Sequence, residues 1–334
     1  MTPLQRPVLA VVVPCYNEEE VLPETCKRLE ALLVRLVDAG RIDRVSRIWF
    51  VDDGSRDRTW ALIQQMSDRV ESIVCGIKLS RNRGHQAALM AGLMTAEGDI
   101  LISVDADLQD DLEAIPKMLD ACQTGSDIVY GVRSARDSDT FFKRFTAEGY
   151  YALLHRLGVE IVFNHADYRL LSRRAIESLR EFRETNVFLR GLIPQLGYRS
   201  AQVEYARTER FAGESKYPLG KMLSLAWQGV TSFSAAPLRA ITTMGLLVSL
   251  ISLGIGLWAL WVRLFSDLAI PGWASIVIPL FLLSGVQLLS LGVIGEYVAK
   301  VFMETKGRPL YLVEEVVQPM SLHTTSANLR NSLI

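Results

Sequence analysis

Four short apolar runs punctuate the first third of the chain: VLAVVV at 8–13, RIWFV at 47–51, IVCGIKL at 73–79 and ILISV at 100–104. Each is rich in β-branched residues and bounded by polar or turn-forming residues, so each reads as a buried strand. Between them the apolar positions recur at helical spacing, over roughly 18–38, 57–69 and 84–96. Strands alternating with helices predict an α/β fold on a mostly parallel sheet covered on both faces. In such sheets ligands bind beyond the carboxyl ends of the strands. Three polar clusters fall at those ends: PCYNEEE from Pro14, DDGS from Asp52 and DADLQD from Asp105. They are predicted to line one crevice.

The pattern changes in the last third. No charged residue occurs over 240–262, and none over 268–295. Each run exceeds the roughly 20 residues that cross a bilayer core, so two transmembrane helices are expected, at about 240–262 and 274–296. Pro271 and Gly272 suit a tight connection, and Trp258, Trp261 and Trp273 gather near its end of the spans, where interfacial aromatics are favoured. The connection offers only Arg263, whereas Lys216, Lys221 and Arg239 precede the pair and Lys300, Lys306 and Arg308 follow it. Positive residues stay inside, which puts the N-terminal domain and the C-terminal tail in the cytoplasm. Residues 140–158 and 216–239 mix aromatics with cations and read as amphipathic helices on the membrane plane, with ordinary core-facing helices as the alternative. The resulting organisation is a catalytic domain over 1–215, a juxtamembrane segment over 216–239, a helical hairpin over 240–302 and a tail over 303–334.

Composition supports this division. Hydrophobic residues make up 49% of 334 residues, and the excess sits in the last third. The formal net charge of −1 leaves no whole-chain footprint for nucleic acid. Cys15, Cys26, Cys75 and Cys122 show no metal or redox spacing and read as free thiols in a reducing compartment.

Asp105 and Asp107 are one residue apart, with Gln109 close behind. Paired carboxylates beyond a strand end, with no thiolate or imidazole in the cluster, suit a hard cation such as Mg²⁺ or Mn²⁺ that also takes phosphate oxygens. A solvated turn is the alternative, with Asp110 and Asp111 favouring the start of the next helix. In VDDGS, Asp53 could accept from a ribose hydroxyl or a base N–H, Gly54 allows a tight turn, and Ser55 could cap the next helix. In PCYNEE, Pro14 stiffens a turn, Tyr16 offers a ring to pack beside a base, and Glu18 is a further acceptor. RTERFAGESKYPLGK supplies cations: Arg210 and Lys216 flank glycine and serine, a combination suited to a diphosphate or to anionic headgroups.

VVVPCYNEEE, VDDGSRDRT, LSRNRGHQAALMAG, SVDADLQD, DYRLLSRRA, RFAGESKYPLGK and GRPLYLVEE follow in that order. With the two apolar runs they resemble a bacterial polyprenyl-phosphate glycosyltransferase of family 2, the group that includes dolichyl-phosphate mannose synthases and bactoprenol glucosyltransferases. The resemblance covers about 8–316. It implies a GT-A fold and transfer of one sugar, with inversion, from a nucleotide-diphosphate sugar to a polyprenyl phosphate such as undecaprenyl phosphate. UDP and glucose are the favoured donor pair, and the bacterial plasma membrane is the implied location. Carried over by position, Pro14, Tyr16, Glu18 and Asp53 hold the nucleoside; Asp105, Asp107 and Gln109 hold Mg²⁺ or Mn²⁺; Arg210 and Lys216 meet the diphosphate. Arg133, with looser support Arg144, meets the acceptor phosphate. Asp167 matches an acidic residue important for catalysis, read here as a positioning group ahead of a base or a salt bridge with Arg169. His85 reads as a packing and hydrogen-bonding residue. Relatives form tetramers, so a homo-oligomer is expected. A processive polysaccharide synthase is the rival enzyme, but no Q-x-x-R-W motif follows residue 180. A transporter subunit would need polar residues lining a path through its spans, and only Gln287 and a few hydroxyls occur there.

Overall fold

A computed structural model describes residues 6–133, 165–182, 184, 188–206, 236–265 and 273–319. The described residues form two compact units. The first unit opens with alternating elements: β1 (Leu9–Cys15), α1 (Leu22–Asp38), β2 (Arg47–Asp52), α2 (Thr59–Ser67), β3 (Val74–Leu79), α3 (His85–Thr95), β4 (Ile100–Ser103) and α4 (Ala114–Gln123). It continues with β5 (Ile128–Arg133), β6 (His165–Ser172), α5 (Arg173–Arg180), α6 (Leu189–Gln195) and β7 (Ser200–Tyr205), and ends with β8 (Val313–Val317). All four strands and three helices expected over 8–104 are present.

The eight strands make one sheet in the order β7-β5-β6-β4-β1-β2-β3-β8. β1 lies between β2 and β4 and is parallel to both. It is buried along its whole length, as its unbroken apolar run requires. Alternate residues serve opposite faces: Leu9, Val11 and Val13 join the core made with Leu22, Cys26, Leu29 and Leu33 of α1. On the other face α3 lies close because Gly92 has no side chain; a Cβ there would sit 2.3 Å from Val12 Cγ1. β6 runs antiparallel between β4 and β5, so the sheet is mixed on that side. All four cysteines are free, and all but Cys122 are buried; burial pushes the Cys26 and Cys75 thiols up to about 12.

Beyond residue 104 the sequence reading placed no strand, and β5 to β8 have no counterpart in it; β8 is the farthest along the chain. It adds to β3 as an antiparallel edge strand, inside the segment read as a tail. Val317 packs against the core, Glu314 meets Lys78 at 3.1 Å, and the Leu312 carbonyl accepts from Ser80 N at 3.0 Å.

The second unit carries α7 (Ala236–Phe265) and α8 (Trp273–Thr305). At 1.5 Å per residue these are about 45 and 50 Å long. The charge-free run 240–262 lies wholly within α7. Among the described residues one stretch, Leu283–Thr305 of α8, meets length and composition criteria for crossing a membrane, with mean hydropathy 1.4. The expected amphipathic stretch 140–158, and all of 216–239 before α7, lie outside the described residues.

Candidate active site

The parallel register brings Cys15 of β1 beside Asp52 of β2, and β4 leaves the sheet two residues before Asp105. The three polar clusters therefore emerge at one edge, as expected.

The first two are laced together by hydrogen bonds to backbone N–H groups. Asn17 N donates to Ser55 Oγ at 3.0 Å, Glu18 N to Thr59 Oγ1 at 2.9 Å and Arg56 N to Asn17 Oδ1 at 2.9 Å. Asn17 takes a left-handed conformation, with φ of 55°, which asparagine tolerates. Ser55 thus ties two loops and does not cap α2, whose Thr59 N–H is taken by Asp57 at 3.0 Å. Pro14 is buried at the end of β1, Glu18 is half-buried and Tyr16 is exposed. Asp53 is buried and accepts from two backbone donors, Arg83 N at 2.7 Å and Gly84 N at 2.8 Å. Burial raises its pKa, and these two bonds oppose the rise. Gly54, with φ of 66°, lets that turn form; a Cβ there would lie 2.7 Å from Asn82 N.

The third cluster is built from charge. Thr25 Oγ1 donates to the Ala106 carbonyl at 2.8 Å and fixes the loop. Asp107 Oδ1 accepts from Gln109 N at 3.2 Å, and Leu108 between them has φ of 58°. Asp105 and Asp107 are half-buried and Gln109 is buried. Burial pushes the Asp105 carboxyl up to about 6; His85 opposes this, and Asp110, Asp167 and Asp107 add to it.

Asp167 reaches the same place from β6. Ser103, the last residue of β4, pairs with Arg169 and donates to the Asp167 carbonyl at 2.5 Å. Asp167 and Arg169 share a face of the strand, and Arg169 Nη2 pairs directly with Asp167 Oδ1. Arg190 of α6 approaches both carboxylate oxygens at 3.3 Å, and Gln86 Nε2 donates to Oδ2 at 3.3 Å. His85 Nε2 lies 3.4 Å from Asp167 Oδ2 and 3.7 Å from Asp105 Oδ1. Burial opposes the Asp167 charge, but Arg169, His85 and Arg190 outweigh it and hold the carboxyl well below the usual range. Burial likewise opposes a charge on His85, yet Asp167 and Asp105 raise its pKa.

His85 is therefore part of the site, joining two acidic residues from different strands. It directly follows Gly84, whose N–H is held by Asp53, so one short loop links the second cluster to the third. Sequence reasoning also missed Arg190 and Gln86. Gln86 adjoins the quoted glycine-histidine pair, but Arg190 lies in a short helix that no motif covers. Asp110, read as a helix starter, instead receives the Tyr205 hydroxyl and lies 3.6 Å from Arg133 Nη2. Arg144, Arg210 and Lys216 lie outside the described residues.

Among the described residues no group of three or more His, Cys, Asp and Glu forms a ready metal site. The donor chemistry still fits a hard cation: Asp105, Asp107 and Gln109 offer oxygen, and the Asp105 carboxyl, raised first by burial and then by its acidic neighbours, would be stabilised in its charged form by a cation. Two carboxylates and an amide leave positions that Mg²⁺ or Mn²⁺ ordinarily fills with water and substrate phosphate.

The chain is 48% identical over 311 residues to the uncharacterized glycosyltransferase YkoT of Bacillus subtilis, with 92% of each chain covered. It is 38% identical over 310 residues to the bactoprenol glucosyl transferase of Shigella phage SfX, covering 92% of this chain and 98% of that one. A crystal structure of glucosyl-3-phosphoglycerate synthase from Mycobacterium tuberculosis with Mn²⁺, UDP and phosphoglyceric acid is similar at TM-score 0.44 and 20% identity, over 67% of this chain and 76% of that one. The glycosyl transferase family 2 model matches residues 10–180, the span that carries β1 to α5 and the three clusters. The chain belongs to glycosyl transferase family 2 and is a glycosyltransferase with a GT-A-like α/β domain.

Proposed function

We propose that the enzyme transfers a single glucose, with inversion, from UDP-glucose to a polyprenyl phosphate at the cytoplasmic face of a bacterial plasma membrane. The observation that carries this reading is the occurrence of an acidic cluster at the strand ends and long apolar helices in a single chain. Large hydrophobic side chains stand exposed on those helices, among them Ile251, Trp258, Leu288 and Leu291, and exposed apolar surface of that extent needs a partner. Relatives named bactoprenol glucosyl transferase support the acceptor and the sugar.

In this reading 1–215 is the catalytic domain, 216–239 lies on the membrane, 240–262 and 274–296 span it as a hairpin, and 303–334 returns to the cytoplasm. Pro14, Tyr16, Glu18 and Asp53 hold the nucleoside. Asp105, Asp107 and Gln109 would hold Mg²⁺ or Mn²⁺. Bound there, the ion would neutralise charge building on the departing diphosphate. Arg210 and Lys216 meet the same diphosphate, and Arg133 with Arg144 meets the acceptor phosphate.

The acceptor oxygen attacks the anomeric carbon as the bond to the diphosphate breaks. A phosphate monoester has a second pKa of about 6, so the acceptor is largely dianionic at neutral pH and needs no strong base. Asp167 is poorly suited to be one, because Arg169, Arg190 and His85 stabilise its charge. Its part is to position His85 and the Asp105 loop.

The test is incubation of the membrane enzyme with radiolabelled nucleotide sugars, Mg²⁺ or Mn²⁺, and undecaprenyl phosphate. Label from UDP-glucose should enter an organic-extractable lipid-linked monosaccharide. A polymer would favour the processive reading, and no extractable product from any donor would overturn the proposal.

A further inference from the structure

Tyr205 ends β7, and the parallel register with β5 sets it beside Arg133. Its ring is buried and meets Tyr168 edge to face, 5.2 Å between centroids. Ring packing alone would be served by phenylalanine, and burying a hydroxyl is unfavourable unless it is hydrogen-bonded. Here the hydroxyl has two partners. It donates to Asp110 Oδ1 and accepts from Arg133 Nε at 3.2 Å. The direct contact between Arg133 Nη2 and Asp110 is 3.6 Å, too long for a hydrogen bond. The two groups form an ion pair at that distance, and the phenol supplies the hydrogen-bonded link between them. Asp110 directly follows Gln109, so the joint connects Arg133 to the loop bearing Asp105, Asp107 and Gln109. Asp110 itself is buried, with Oδ2 lacking a hydrogen-bond partner, and this makes the Tyr205 hydroxyl the more important to it.

The geometry points to Tyr205 as a positioning residue for acceptor binding: its hydroxyl locks the Arg133 guanidinium at a fixed spacing from the carboxylate loop. This rests on the reading of Arg133 as the acceptor-phosphate arginine.

The experiment uses the full-length enzyme with UDP-glucose, Mn²⁺ and undecaprenyl phosphate, and measures both KM values and kcat. Tyr205→Phe keeps the ring and should raise the acceptor KM about tenfold, the scale of one hydrogen bond to a charged group, with little change in donor KM. Arg133→Ala should raise the acceptor KM at least as much, and adding Tyr205→Phe to it should cost nothing further. Asp110→Asn, a second route to the same joint, should also raise the acceptor KM. If Arg133→Ala weakens the acceptor and neither Tyr205→Phe nor Asp110→Asn does, the proposal fails while Arg133 keeps its role. If Arg133→Ala leaves the acceptor KM unmoved, the Arg133 reading falls and the proposal with it. Equal increases in both KM values for Tyr205→Phe would mark a general packing role and overturn it as well.

Discussion

The two sides of the candidate site are held by different physics. On the Asp53 side, loops 15–19 and 52–59 are joined mainly by side-chain oxygens accepting from backbone N–H groups, with one exposed ion pair between Arg58 and Glu19, and the Asp53 carboxylate accepts from the backbone of Arg83 and Gly84. On the Asp167 side, a buried carboxylate is held by two arginines, a histidine and an amide. Backbone bonds fix shape and carry little net charge. Ion pairs fix charge, and they leave a large penalty when one member is lost. Under the proposed function, the first construction suits a side that grips a nucleoside, and the second suits a side where negative charge builds during transfer.

The largest effect should come from the charged side. Asp107→Ala is expected to abolish transfer in the radiolabel assay while leaving thermal unfolding close to wild type, since Asp107 is half-buried. Excess chelator should reproduce the loss in the wild type. Wild-type turnover under either condition would remove the cation from that side of the comparison.

Next is Arg169→Met. Arg169 is 1% exposed, so its removal strands Asp167, and breaking a buried pair costs about 3–5 kcal/mol. Arg190 and His85 remain, which favours the lower end. The pH dependence has a definite sign. Asp167 has a lowered folded-state pKa, so the stability it contributes is present above the unfolded value, about 3.9, and is lost as pH falls through the folded value. The variant lacks most of that contribution. The gap in Tm between wild type and variant should be widest near neutral pH and close below about pH 4. A gap that stays constant with pH would mean that Arg169 serves packing alone.

Gly54→Ala probes the other side. The new Cβ would meet Asn82 N at 2.7 Å in a left-handed turn, a strain of about 1–3 kcal/mol. Because that turn carries Asp53, the donor KM should rise and the acceptor KM should not. Equal change in both would erase the distinction between the two sides.

This division also explains what could be read from the chain. The β1, β2 and β4 ends and their polar clusters are local patterns, and parallel topology does the rest in bringing them together. The hub around Asp167 was not legible: Arg169 is two residues away and was considered, but Arg190 arrives from another helix, and no spacing encodes that meeting. His85 sits at a helix start, where packing is the ordinary expectation; its role depends on β6 lying next to β4, an antiparallel insertion that the alternating pattern did not announce. Ser55 was misread because a hydroxyl before a helix usually caps it, whereas Asn17 of the neighbouring loop competes for it here. β8 is five residues with two acids, too short and too polar to signal a strand.

The smallest effect should be found where charge is exposed. Lys78 and Glu314 pair at 3.1 Å across β3 and β8, with side chains 27% and 48% accessible. Solvent screens such a pair, and measured values are typically below about 1 kcal/mol. β8 is held instead by its ladder to β3 and by Val317, which packs on the core above Gly76. Glu314→Ala should therefore change the unfolding free energy by no more than about 0.5 kcal/mol, and high salt should abolish even that. Val317→Ala removes half-buried methyl groups that pack over Gly76 and should cost about 1 kcal/mol whatever the salt. The ordering matters more than either value. If Glu314→Ala proved the costlier change, an exposed ion pair would be anchoring this edge strand, and charge would secure the surface of the domain as it does the neighbourhood of Asp167.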